Sequence, residues 1–113
     1  MSMIVTGLVL VLAYIAAHAW VCAGPFTQRY SPLIAWFLKR QGMAAITIGS
    51  RCFLADRDRP LTPEGEVHER WHFHQWRVRP FMAPVYLFWL LVVGYCDHPL
   101  EREARRAADQ PER

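Results

Sequence analysis

Residues 62–79, TPEGEVHERWHFHQWRVR, decide how this chain folds. Thr62 is a helix N-cap, Pro63 suits the first helical position, and Glu64 and Glu66 place negative charge in the first turn. The predicted helix runs to about Arg79 and stops before Pro80. At its centre stands His68-Glu69-Arg70-Trp71-His72, an HExxH pattern. Residues four apart share one helical face, so His68 and His72 can direct two imidazoles at a single Zn²⁺. Glu69, beside the first ligand, can reach a water at the metal and take its proton.

The rest of the chain divides around that helix by charge. It has 113 residues, 53% of them hydrophobic, with a formal net charge of +3. Residues 3–23 (MIVTGLVLVLAYIAAHAWVCA) contain no Asp, Glu, Lys or Arg, and neither do residues 81–96 (FMAPVYLFWLLVVGYC). Such a distribution reads as a small membrane-associated protein, with membrane lipid as its first partner. No basic run is interleaved with aromatics or glycines as in a nucleic-acid module, so the positive charge is read as juxtamembrane retention. Cys22, Cys52 and Cys96 are odd in number and widely spaced, which argues for free thiols.

Residues 1–24 are expected to form an N-terminal transmembrane anchor. Ala17-His18-Ala19 has the form of a signal cleavage site, but no Lys or Arg precedes the apolar run. Residues 25–43 form an amphipathic interfacial segment. Within it Ser31 caps a short helix over 31–40, Lys39 and Arg40 close it, and Trp36 and Phe37 point toward lipid. Residues 44–113 form the HExxH zinc domain. In it, residues 44–55 make one bent strand or a tight hairpin around Gly49-Ser50. Residues 81–96 make a third apolar helix of about 24 Å, short of a hydrocarbon core near 30 Å. Asp97 or His98 caps a last helix from Pro99 through Ala108. The fold class is thus mainly α with a short strand or hairpin: a transmembrane helix followed by a minimal, zincin-like helical domain.

A zinc hydrolase site wants a third protein ligand and an open position. Glu101 and Glu103 on the last helix are the candidates, and Glu101 is the nearer to that helix's N-terminus. Gln75, seven positions after His68, faces the metal side and can hold a ligand or substrate. His74 points elsewhere. Trp71 and Trp76 read as core or interfacial aromatics, Arg77 and Arg79 as solvated, and Tyr86 as a packing residue that could also donate to an oxyanion.

The run His68-Glu69-Arg70-x-His72-x-x-Gln75-Trp76, then Pro80-Phe81, Pro84-x-Tyr86-Leu87, and finally His98-Pro99-Leu100-Glu101-Arg102-Glu103-Ala104 resembles a family of small bacterial proteins with HERxHxxQ and NPxExEA motifs. A strand resembling Ile46-Thr47-Ile48-Gly49 precedes the helix in that family. The resemblance covers residues 44–105, and the family in turn resembles gluzincin metallopeptidases in miniature. It implies that Glu101, with Ala104 three residues on, is the third zinc ligand, and that Glu103 is the alternative. His98 departs from the pattern, which has Asn there, and brings one more imidazole near the site.

These residues lead to an expected membrane-anchored zinc metallopeptidase-like protein, with Glu69 as general base in the attack of water on a peptide or protein substrate. The alternative is a non-enzymatic assembly or interaction subunit with two transmembrane helices. The two differ in topology. If residues 81–96 crossed the bilayer, His68 and Glu101 would lie on opposite sides and could not share a metal. Basic residues are absent before the first span and abundant after it, which places the zinc half in the cytoplasm.

Overall fold

The computed structural model describes residues 2–109. In chain order the elements are α1 (Met3–Cys22), β1 (Thr27–Arg29), α2 (Pro32–Gln41), β2 (Ala45–Ile48), β3 (Arg51–Leu54), α3 (Pro63–Val78), α4 (Met82–Val93) and α5 (Pro99–Ala107). The protein is mainly helical, with one small sheet.

The caps act where their residue types predict. The Ser31 side chain accepts from the Ile34 amide, Pro32 opens α2, and Gly42 ends it at φ 70° with its N–H on the last carbonyls. Thr62 accepts from the Gly65 amide, Pro63 opens α3, and Arg79 closes it immediately before Pro80. His98 caps α5: its Nδ1 accepts from Leu100 N–H at 3.2 Å.

Residues 44–55 resolve as a hairpin, β2 antiparallel to β3, with Thr47 opposite Cys52. The sequence reading contains no strand before residue 44, yet β1 pairs in parallel with β3, giving the order β1-β3-β2. Three residues carry no periodic signal. The strand forms because the chain leaving α1 is fixed beside the hairpin, where Thr27 N–H donates to Ser50 C=O at 2.9 Å. The apolar helix predicted over 81–96 is also shorter than expected. Gly94, at φ 79°, ends it after Val93, leaving about 18 Å of helix.

The sheet and α1 are locked together at the hairpin turn. Gly49 adopts φ 63°, and Ser50 donates from its amide to Val21 C=O (3.0 Å) and from its hydroxyl to Val21 C=O (3.2 Å) and Ala23 C=O (2.8 Å). The turn thereby satisfies carbonyls that the end of α1 leaves without intrahelical partners. α1 does the same for α3: His18 Nε2 lies 2.9 Å from Trp76 C=O, in the last turn of α3. Only Tyr14, His18, Val21 and Cys22 of the second half of α1 are even half-buried, one stripe at helical spacing.

Below this junction Trp76, Met82 and Leu100 form the core shared by α3, α4 and α5. Leu38, Met43 and Ala55 form a second cluster under α2. Trp76 Nε1 donates to Thr47 C=O at 3.0 Å and pins β2 along α3. The sheet therefore packs along one edge of the buried face of the HExxH helix, and α5 crosses the other edge of that face.

Candidate metal centre

α3 presents His68, Glu69, His72, Gln75 and Trp76 as its buried residues, the one face that an amphipathic helix of this register can hide. α5 presents Leu100, Glu101, Ala104 and Arg105. Where the two faces meet, Glu101 Oε2 lies 2.8 Å from His68 Nε2 and 3.0 Å from His72 Nε2, and the two imidazole nitrogens lie 3.2 Å apart. All three side chains are at most 7% exposed. Donor atoms on a tetrahedral zinc ion with bonds of ~2.1 Å lie roughly 3.4 Å apart, so the three need to open by only a few tenths of an ångström to share an ion. This buried group can hold a metal ion. Ala104, fully buried one turn after Glu101, lets α5 approach α3 closely.

The surrounding residues orient the donors. His72 Nδ1 is 2.7 Å from Gln75 Oε1, and Gln75 Nε2 donates to Leu100 C=O at 3.2 Å. The amide oxygen of Gln75 accepts the Nδ1 proton, so Nε2 is the nitrogen turned to the metal position. Gln75 therefore holds a ligand rather than a substrate. Tyr86 donates its hydroxyl to Glu101 Oε1 at 2.6 Å. It is a packing residue with its hydroxyl satisfied, and it orients the carboxylate from α4. Replacing Gln75 by Leu is expected to weaken metal affinity about 10- to 100-fold while the chain stays folded, as a chelator-competition titration would show.

In the metal-free state a proton takes the cation's place. Burial pulls the His72 pKa down, but the Glu101 charge and hydrogen bond, with help from Glu69 and Gln75, outweigh it and raise it to about 9. Burial pushes Glu101 the other way, and the His72 charge with the hydrogen bonds from His68, His72 and Tyr86 holds it well below the usual carboxylate range. Burial first, then the Glu101 charge, pushes Tyr86 well above an ordinary phenol, so it remains a donor.

Glu69 lies at the sheet side of the group. Thr47 donates its hydroxyl to Glu69 Oε2 at 2.6 Å, and both residues are buried. In the sequence Thr47 is legible only as part of the strand run Ile46-Thr47-Ile48-Gly49, with no role at the site, because nothing in that run says which face meets the helix. The alternating burial of β2 supplies the answer: Ala45 and Thr47 point to α3. Cys52, opposite Thr47, is fully buried. Its thiol is pushed up to about 12, mainly by burial and further by the Glu69 charge, which favours the protonated thiol.

Across the full length of the chain, no protein-family model, curated protein or solved structure matches it. The site is therefore read on its own geometry.

Glu103 does not enter the group. It accepts from Trp71 Nε1 at 2.9 Å and lies 3.6 Å from Arg79 Nη2, on the flank of α3 beside the buried group. As a ligand it is displaced by one helical fact: two residues after Glu101 is the opposite side of a helix. His98 is no ligand either, since Nε2 donates to Tyr86 C=O at 2.8 Å while Nδ1 caps α5. An imidazole here does the work of a capping Asn, and burial lowers its pKa and keeps it neutral. His74 is exposed, against the Trp71 ring.

Proposed function

We propose that this protein is a membrane-anchored, zinc-dependent metallopeptidase-like enzyme of minimal size, resembling the gluzincins. The observation that carries the reading is the convergence of His68, His72 and Glu101 from two helices on one buried point. Two imidazoles and a carboxylate fit zinc, and the HExxH order puts an acid beside the first of them. The bound ion would supply Lewis-acid activation of a water and of the scissile carbonyl.

The chain's own residues do the rest. Gln75 and Tyr86 hold the ligands in one orientation. Thr47 fixes Glu69 by one oxygen and leaves the other for proton transfer. Glu69 accepts a proton from the attacking water as its oxygen bonds to the carbonyl carbon. It returns that proton to the amide nitrogen as the C–N bond breaks. The anchor is α1, the one helix among the described residues long and apolar enough to cross a bilayer. The basic residues that follow it favour a cytoplasmic domain.

Two features favour this reading over the two-span alternative. α4 is only about 18 Å long. α3 and α5 touch through ligand-distance contacts, which a bilayer between them would forbid.

Glu69→Gln tests the reading. It should retain the metal and lose roughly 100- to 10,000-fold of peptide-bond cleavage against a peptide library. Equal cleavage by the variant would end the proposal of Glu69 as base.

Metal binding should also depend on pH in a defined direction. His72 must lose a proton to bind, so zinc affinity is expected to rise about tenfold per pH unit from pH 6.5 and to level off near pH 9. The metal-free protein should respond with the opposite sign. A raised His72 pKa stabilises the fold fully below pH 6.5, and that contribution is lost as pH rises through about 9. Zinc titrations and denaturation midpoints over pH 6–10 would check both.

A further inference from the structure

We infer that α4 is immersed in the same lipid leaflet that α1 enters, so that the metal domain sits partly in the bilayer rather than on a stalk above it. The inference rests on the membrane reading of α1 and adds a depth to it.

The first observation is a length. α1 has 20 residues, about 30 Å, which only just matches a hydrocarbon core. Yet its docking stripe begins at Tyr14, and residues 3–13, about 16 Å, are the only part clear of the domain. A helix that crosses the bilayer must therefore bring its docked half inside as well, to a depth of roughly 14 Å. Whatever packs on Tyr14 is carried in with it.

The second observation is what packs there. The Tyr14 ring stacks on Phe81 at 5.8 Å, at the entry to α4. From Phe81 the chain runs through α4 with no Asp, Glu, Lys or Arg as far as Cys96. Met82 is the only buried residue of α4, while Leu87, Phe88 and Leu91 are more than half exposed. Apolar side chains exposed on every side but one suit lipid. A helix of about 18 Å that starts within the leaflet and returns to α5 is a re-entrant segment; Met82 N–H donates to Arg79 C=O at its entry and Gly94 N–H to Leu90 C=O at its end.

The polar groups at this depth are matched in part: His18 Nε2 is bonded to Trp76 C=O, while the Tyr14 hydroxyl and His18 Nδ1 are buried without a hydrogen-bond partner. Nearer the end of α1, Trp20 is exposed and lies under the Arg51 guanidinium at 4.6 Å, and on α2 the Arg40 guanidinium lies over Trp36 at 4.9 Å. Paired Trp and Arg are the side chains expected at the headgroup boundary. Between α2 and β2, Leu33, Trp36, Phe37 and Ile48 wall an apolar cavity of about 350 Å³ at the same rim. Because Tyr86 of α4 holds Glu101, the metal group lies within one helix diameter, about 10 Å, of the acyl chains. The substrate class this placement fits is a peptide segment held at the surface of that leaflet.

The test uses the full chain in vesicles of phosphatidylcholine and phosphatidylglycerol carrying a phospholipid with a diazirine in its acyl chain. After irradiation, digestion and mass spectrometry, adducts are expected on residues 3–13 and 85–93 and not on residues 55–66. Adducts on 3–13 without 85–93 overturn the immersion of α4 and leave the anchor standing. No adduct on either removes the anchor and the inference together. Loss of the 85–93 adducts as the protein-to-lipid ratio rises, with the 3–13 adducts kept, assigns that face to a second copy and overturns the inference. A second arm introduces Asp58→Cys and Ala107→Cys, both exposed positions. An impermeant maleimide should modify both from the same side, and modification from opposite sides makes α4 a full span.

Discussion

Glu101→Ala is expected to abolish stoichiometric metal retention. The loss should exceed the roughly 100-fold seen when an outer partner of a ligand is removed, because a ligand itself is gone. The variant also removes the carboxylate that raises the His72 pKa to about 9, so burial then favours a neutral imidazole. Breaking a buried charged pair costs about 3–5 kcal/mol, so some loss of stability accompanies the loss of metal. Glu101→Gln separates the two effects: it keeps the shape and an acceptor for Tyr86 but offers the metal a neutral oxygen. Glu103→Ala is the control, since Glu103 faces Trp71 and Arg79 and its removal should leave the metal in place. Metal analysis of the purified variants after dialysis reads all three.

The second large effect is structural. A Cβ on Gly49 would overlap Val21 C=O and Val21 Cγ1, at a backbone φ of 63°. Neither atom can yield easily, because that carbonyl accepts both the amide and the hydroxyl of Ser50. Gly49→Ala should therefore cost about 3–5 kcal/mol, from left-handed strain together with the broken junction bonds. Gly7→Ala, where nothing lies within 4 Å, should be neutral or slightly stabilising. Thermal unfolding of both in detergent micelles measures the difference. A neutral Gly49→Ala would show that α1 does not dock on the hairpin.

Much of this architecture is written locally. Thr62-Pro63 and Ser31-Pro32 fix where α3 and α2 start, and Pro80 and Gly42 fix where they stop, because caps act over a few residues. The pair His68 and His72 follows from the helical period alone. Glu101 against Glu103 was open to residue-level reading, since it depends on which face α5 turns to α3, and packing around Ala104 decides it. β1 was illegible, because its pairing depends on where α1 delivers the chain. The end of α4 at Gly94 was hidden inside a continuous apolar run. Thr47 and its bond to Glu69 needed the face of β2, which a four-residue strand declares only once it is packed. The reciprocal capping of α1 by Ser50 and of α3 by His18 is likewise tertiary. It makes α1 part of the fold: cutting at Ala17-His18-Ala19 would remove Tyr14 and break the His18 contact.

The central claim is that His68, His72 and Glu101 form a zinc site. Its most direct test is elemental analysis of the full-length protein, purified in detergent and dialysed against metal-free buffer. Zinc in a one-to-one ratio with the chain, lost in Glu101→Ala and kept in Glu103→Ala, is the predicted result. A wild-type protein that holds no stoichiometric metal, and takes up none when zinc is added at pH 8, would contradict the account.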